Sequence, residues 1–434
     1  MKSITPNDPG GRAGSDSRSI QNAIRAAQTT ASRTIRIPRM NERTGEPIWI
    51  IDETILLPSD ITILLDDCHL RFADGVFCNM FRNENMYTPI GFTPEGEQHG
   101  IRIVGRGNAL LDGGVHNGLT EATSLKNGLP HVRNNHFILL HNVRSYRLEG
   151  FACRDQRYWA VSQLFCRDGR ISNLRFDITR HVRNQDGINL RIGCSDIAIE
   201  HITGLTGDDV VALTALPLYD DGELLVQGRD MDIHDVAVRD VRANTRCTLV
   251  ALRCCDGASL YRIAIENVRD VGSPWVPWGV VRLGENNYFV KGPGTMRDIL
   301  VRDVHSRHRG TVFLATTLTD SLLSDIHAEG DAMSCVSTYY PDAGYDEETK
   351  CHLAGGVSLR NVRMEDLFYD AHAPEKDEGY MSNPDLPCIG CALDFRCMRP
   401  GTDFLENVTL RNVCTNGADK LLLHPAFRSA SFLG

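Results

Sequence analysis

The chain is expected to fold as an all-β solenoid, a parallel β-helix with a short N-terminal capping helix, and three observations carry that expectation. A six-residue pattern recurs between residues 197 and 413: apolar, any, apolar, polar, Asn/Asp/His, then Val or Ile. Twenty-two residues separate Asp186 from Asp208, close to one coil of such a solenoid. Helical periodicity is clear only near the start, so the crossover helices of an α/β fold are missing. Two segments on stacked coils lie about 4.8 Å apart, which would bring Asp186, Asp208 and Asp209 onto one patch of surface.

The elements follow in order. Ile20, Ala23, Ile24 and Ala27 repeat at helical spacing behind Ser15 and Asp16, which are good helix caps. A helix there can cover the first coil, whose sheet edges would otherwise be open. The pattern then appears as Ile197–Ile202, Val236–Val241, Ile263–Val268, Ile299–Val304, Val357–Val362 and Val408–Val413. Its alternation reads as a short strand with one buried face, and its Asn or Asp suits a turn. Successive copies start 39, 27, 36, 58 and 51 residues apart, so the solenoid carries insertions. No linker or composition break divides the chain, which is expected to be one domain over 1–434, with a cap region over about residues 1–30.

With 46 basic and 56 acidic side chains the net charge is -10, which argues against nucleic acid or an anionic membrane as partner. No apolar run of membrane-spanning or secretory type is present, so a cytoplasmic location is expected. Fourteen Cys are scattered through the chain. Cys388, Cys391 and Cys397 do not complete a zinc ligand set, so buried reduced thiols are expected, with no metal and no cofactor.

In the order of its segments the chain resembles the polygalacturonases, glycoside hydrolase family 28, within the pectin-lyase-like superfamily. The likeness runs through Asp16–Ala27 with Ile35–Pro38, Ile101–Gly107, Leu111–Gly114 and Trp159. It ends on Asn184-Gln185-Asp186-Gly187, where the family has Asn-Thr-Asp-Gly, and on Gly207-Asp208-Asp209, its Gly-Asp-Asp. The resemblance implies a single-stranded right-handed parallel β-helix and an inverting hydrolase. It implies Asp208 as general acid, and Asp186 and Asp209 as the pair that holds and activates water. Crowded carboxylates cannot all ionise cheaply, so one retains a proton to donate. Asp208 and Asp209 are adjacent, however, and both can face one side only if the chain bends at Gly207.

The chain departs from the family twice. No His stands at residues 246–249, where Gly-His-Gly is expected, although His234 lies nearby. Residues 279–284 supply Arg282 but no Lys for the family's Arg-Ile-Lys. That leaves galacturonate specificity in doubt, since such cations read a sugar carboxylate. His181, Arg183 and Arg246 are candidate replacements, and Asn184 and Asn189 complete the expected substrate-binding set. Trp275 and Trp278, with Tyr339 and Tyr340 behind them, are candidates for stacking on a sugar ring. The substrate class expected is a plant-type or uronate-containing oligosaccharide, cut in exo mode. Asn83–Gly100, 305–357 and 363–408 are the candidate walls. A lyase or epimerase on the same fold, and a non-catalytic carbohydrate-binding solenoid, are the alternatives.

Overall fold

A computed structural model of the chain describes residues 4–120, 133–218, 224–272, 279–284, 291–308, 310–338, 345–346, 351–352, 356–372, 389–427 and 432–433. Helix α1 (Asp16–Gln28) forms where its periodicity places it. Ser15 accepts a hydrogen bond from the Arg18 amide, and Ile20, Ala23, Ile24 and Ala27 are buried. They pack on the first coil, made of Thr34–Pro38, Trp49–Ile51 and Ile55–Leu57. Asp16 fixes the helix to that coil. Its side chain is fully buried and accepts from Arg43 Nη2 at 2.7 Å, Asn41 Nδ2 at 2.8 Å and the Ile50 amide at 2.8 Å.

Residues cluster into two compact units, 1–208 with 223–230, and 209–222 with 231–434. In the first, strands pair in parallel from coil to coil. Thr34–Pro38 lies on Thr62–Asp66, which lies on Arg102–Arg106. Another face stacks Ile55–Leu57, Phe81–Asn83, Ile138–His141, Val161–Leu164 and Ile188–Leu190. In the second unit Ile233–Thr245, Ser259–Asp270, Thr295–Ser306, Thr317–Gly330, Ser358–Ala371 and Phe404–Thr415 pair successively. Beside them run Val211–Ala215, Val250–Cys254, Val281–Leu283, Val312–Leu314, Val336–Ser337 and Cys391–Phe395. Inward positions carry the core: Val211, Leu213, Val250, Leu252, Val281 and Leu283 are all fully buried. This is the right-handed parallel β-helix that the sequence predicts.

The repeated pattern has a sharper meaning than a turn at a strand's end. Its fifth residue, His201, Asp240, Asn267, Asp303 and Asn412, sits with φ between 51° and 59°. A second left-handed residue stands five positions earlier, at Asp196, Asp235, Arg262, Asp298 and Asn407. Each long strand thus bends twice on a residue in the left-handed region, which Asn and Asp tolerate best among residues with a Cβ. Two features of the repeat are corrected by this. The 58-residue interval hides a whole coil, Thr317–Gly330, where Ser321 takes the register position of Ile263 and Val362. Its hydroxyl accepts the Ile299 amide at 3.0 Å and donates to the Thr319 carbonyl at 2.7 Å, which satisfies it inside the wall. The Val357–Val362 copy lies out of frame, because Asn361 pairs with the first-corner Asp320, not with a fifth-position residue.

Removing the buried Asp16 carboxylate strands Arg43 and two further donors, Asn41 Nδ2 and the Ile50 amide. Asp16→Ala is expected to lower stability by about 3 kcal/mol, read as a shift of the urea midpoint, with the β signal of the folded baseline unchanged.

Candidate functional site

Gln185 organises the acidic motif. Its carbonyl accepts from both the Gly207 amide at 3.2 Å and the Asp208 amide at 3.4 Å, which sets the second motif directly on the first. Its side chain donates to the Gln156 carbonyl at 3.0 Å and accepts from the Val182 amide at 2.8 Å. Gln156 reciprocates, donating to the carbonyls of Gln185 at 3.0 Å and Asp186 at 3.2 Å. One residue therefore ties three successive coils, and Gln at the family's Thr position has the reach this needs. Asn184 precedes it with φ of 59°, a conformation Asn accepts readily.

Asp186 is buried, 5% exposed, and its Oδ2 accepts from Asn189 Nδ2 at 3.1 Å. Asn189 and Arg191 share the outward face of Ile188–Leu190, whose Ile188 and Leu190 point inward. Asp208 is half-buried. The chain bends at Gly207 and Asp208. Gly207 cannot carry a side chain there: a Cβ would lie 2.6 Å from Gln185 Oε1, 2.9 Å from Gln185 Cβ and 2.9 Å from His181 Cδ2.

The second unit begins with Asp209, which is 1% exposed. Its Oδ1 accepts from the Thr248 amide at 3.2 Å and its Oδ2 from Arg253 Nη1 at 2.8 Å. Arg282 is buried too, with its guanidinium 5.7 Å from the centre of the Phe313 ring.

The other expected binding residues are distributed unevenly. His181 reaches the motif, its Nε2 donating to the Gly207 carbonyl at 3.0 Å. Arg183 is exposed just before the first motif strand, and Arg246 is exposed just before Val250–Cys254. His234 does not replace the family's His: it starts Ile233–Thr245, on a different face from Val250–Cys254, bonded to Asp235 and stacked on Tyr261. Trp275, Trp278, Tyr339 and Tyr340 lie outside the described residues. The aromatic that does sit at the motif is Trp159. Ala160 N, next to it, donates to the Asp186 carbonyl at 3.0 Å. The half-buried ring has the Arg191 guanidinium 4.6 Å above it and His136 edge-on at 5.8 Å. Arg191 was findable from alternation alone, two residues beyond Asn189.

A wall stands two coils earlier in the same unit. His141 occupies an outward position of Ile138–His141, yet it is 1% exposed. Phe92 covers its ring at 5.5 Å, and its Nε2 donates to the Leu224 carbonyl at 2.8 Å. Burial pushes the imidazole down to about 4, against the pull of that carbonyl. The segment 224–230 is latched down by the Gln227 amide on the Phe92 carbonyl, 2.9 Å, and by Arg229 on Glu97, 2.7 Å. Arg167 grips the same carboxylate twice at 2.8 Å, and Arg144 approaches to 3.2 Å. Burial works to raise the Glu97 carboxyl, but the bonds and charges of Arg167 and Arg229 outweigh it and hold it below its ordinary value. Its contribution is complete above the unfolded value of about 4.3 and is lost as pH falls through the lower folded value. Asn83–Gly100, expected as a cleft wall, is thus joined by residues that sequence position would not nominate.

Among the described residues of the second unit, one grouping resembles a metal site. His305, His327 and Glu329 bring ligand atoms within 4.8 Å of one another. The two rings, however, are stacked 4.1 Å apart at 15°, and Asp325 bonds the His327 Nε2 at 2.8 Å. Imidazole lone pairs lie in the ring plane, so near-parallel rings cannot aim two of them at one ion. The Cys388–Cys391 pair extends outside the described residues, and Cys391 and Cys397 are buried. Among the described residues no helix is long and apolar enough to cross a membrane.

No protein-family model and no curated protein sequence matches the chain. Among solved structures it is similar to the endo-xylogalacturonan hydrolase from Aspergillus tubingensis, at TM-score 0.56 and 13% identity over 100% of this chain and 98% of that one. It is also similar to a tailspike protein double mutant of E. coli bacteriophage HK620 in complex with a pentasaccharide. That match has TM-score 0.54 and 12% identity over 94% of this chain and 66% of the tailspike. At these identities the likeness is one of fold.

Gly207→Ala forces Gln185 and His181 apart from the motif. Displacements of this size at a reacting centre cost on the order of 100-fold in rate, so the variant should lose activity out of proportion to its shift in melting temperature. Parallel turnover and thermal-unfolding measurements check this.

Proposed function

We propose that the chain is a glycoside hydrolase in which Asp208 donates a proton to the leaving oxygen and Asp186 orients and deprotonates the attacking water. The observation that supports this most directly is the double hydrogen bond from Gly207 and Asp208 to the Gln185 carbonyl. It sets the two motifs on adjacent coils, with a buried carboxyl on one and a half-buried carboxyl on the other, and two carboxyl groups are what glycoside hydrolysis uses. Asn189 holds Asp186 through Oδ2, which fixes how a water would meet it. Trp159, half-buried next to the Ala160 amide that bonds the Asp186 carbonyl and with Arg191 over its ring, is the candidate for contact with a sugar ring. That the neighbouring structures include a xylogalacturonan hydrolase and a tailspike carrying a pentasaccharide favours an oligosaccharide as substrate.

The reading includes exo action. Phe92, Leu224 and the Glu97 latch cover the outward face at His141, as a wall closing one end of a cleft would. A chain end would then abut this wall, and monomer or dimer would be released from the start of digestion. Inversion at the anomeric carbon completes the proposal.

A reducing-sugar assay across plant and host oligosaccharides tests the hydrolytic step. Asp208→Asn and Asp186→Asn should each lower the rate by about a thousandfold while leaving thermal stability near wild type. Unsaturated products absorbing in the ultraviolet would instead make the enzyme a lyase and sink the proposal. Glu97→Gln removes the anion that three arginines share, and should loosen 224–230. Its digests are expected to show mid-chain fragments absent from wild type, checked by chromatography at early time points. An unchanged product ladder, with segment 224–230 shown open by hydrogen exchange, would count against exo action through this wall.

A further inference from the structure

We propose that the second unit carries a binding groove for an uncharged linear oligosaccharide, running from coil to coil along the corner residues Asp298, Asp320, Asn361 and Asn407. Their strands belong to the sheet that does not hold the acidic motif, so the groove is separate from the hydrolytic site and does not depend on it. Three features carry the proposal.

The first is shape. The four corner residues all sit in the left-handed region, with φ between 51° and 54°, and a concavity of about 540 Å³ lies against them. Small-molecule sites have volumes of about 300–1,000 Å³. One side of the groove is the corner column. The other is the column Leu300, Leu322, Arg363 and Thr409, in register on the same coils. Ile299 and Ser321 close the floor, tied by the Ile299 amide on the Ser321 hydroxyl at 3.0 Å. Every side chain of the two columns is exposed or half-buried, so a ligand can reach them.

The second is an unbalanced charge. Asp298 and Asp320 fall between the register pairs Arg297–Thr319 and Leu300–Leu322, and so oppose each other directly. Like charges placed this way cost stability. The neighbouring cations are engaged elsewhere or on one member alone. Arg262, one coil earlier in the column, is held by Asp235 through Nε at 2.7 Å and Nη2 at 2.5 Å. Arg297 bonds Asp298 at 3.3 Å, and Arg363 leans on Glu365 at 3.7 Å. Asp320 Oδ1 accepts from Asn361 Nδ2 at 2.8 Å, and Asn407 continues the ladder onto Asn361 at 2.9 Å. Asp320 Oδ2 has no partner among the described residues. Hydroxyl donors lying across both carboxylates would offset the repulsion through charge-assisted bonds. A polyanion would worsen it.

The third is period. The rungs repeat at about 4.8 Å, whereas an extended peptide rises about 3.3 Å per residue and falls out of step with them. A pyranose unit of a linear glycan is close to one rung in length. Its hydroxyls suit the corner column, where Asn361 and Asn407 both donate and accept, as Thr409 does opposite. Its C–H faces suit the half-buried Leu300–Leu322 step.

The test titrates the full chain, carrying Asp208→Asn to prevent turnover, with linear tetramers of xylose, glucose, mannose and galactose. Tetramers of galacturonate and glucuronate are run beside them. Binding is read by calorimetry and located by the methyl NMR signals of Leu300 and Leu322. At least one neutral tetramer should shift those methyls and bind about fivefold more tightly than either uronate, the scale of one exposed charge contact. Leu322→Asp should weaken that binding about tenfold, by placing a charge on the apolar step. Asp320→Ala should weaken it about three- to tenfold, the worth of one hydrogen bond. The double variant Asp298→Asn, Asp320→Asn should narrow the preference for neutral over uronate tetramers, a change that damage to the fold would not produce. The proposal is overturned if no tetramer moves the two methyls, whether or not calcium does, or if the uronates bind as tightly as the neutral tetramers. An inert acidic motif with the methyl shifts intact would sink the hydrolytic reading alone.

Discussion

The corner is the constraint on which the rest of this molecule depends. A coil that must return over itself in about two dozen residues has to bend within its strands, and here it does so on non-glycine residues in the left-handed region. Pairs such as Asp298 and Asp303, or Asn407 and Asn412, set two bends five residues apart on one strand. An Asp or Asn at such a corner also faces the equivalent residue on the next coil. Asn361 Nδ2 donates to Asp320 at 2.8 Å, and Asn412 Nδ2 to Asp366 at 2.6 Å. The same residue type therefore serves the local backbone and the coil-to-coil contact. That double duty fixes the register, and the register places every functional side chain.

The acidic motif uses this rule at close quarters. Asn184 is a left-handed residue, so the chain turns before Gln185 and presents its carbonyl to the following coil. Two amides then converge on that carbonyl, and Gly207 must lack a Cβ for them to reach it. The positions of Asp186 and Asp208 are thus consequences of backbone bonds around Gln185 and do not depend on any attraction between the carboxylates. This matters energetically, because acidic groups repel. A framework of neutral amides, Gln156 and Gln185 in particular, supplies what that repulsion would otherwise undo.

Much of this was legible in the residues, and the failures have physical causes. The helix was readable because Ile20, Ala23, Ile24 and Ala27 make one apolar stripe. The coil at Thr317–Gly330 was hidden because Ser321 sits where its neighbours carry Ile or Val, and only the hydrogen bonds to Ile299 and Thr319 make that tolerable. The Val357–Val362 copy misled by one corner, since both corners of a strand share a similar local pattern. Trp159 was visible as a landmark, but its partners Arg191 and His136 come from neighbouring coils, which no local pattern announces. The latch of 224–230 onto Glu97 spans 132 residues in sequence. Contacts of that range leave no periodic trace.

Asp208 and Asp209 show how little adjacency in sequence says about role. A regular strand would send them to opposite faces, and the family pattern asks both for the same task. The bend at Gly207 and Asp208 frees the chain from strict alternation, yet the two residues still meet different surroundings. Asp208 stays half-buried, next to an amide that belongs to the Gln185 framework. Asp209 passes into a pocket built by Thr248 and Arg253. A carboxyl that must gain and lose a proton needs access to solvent or substrate, and one that must orient a guanidinium needs the opposite. The burial of these two neighbours divides along that line.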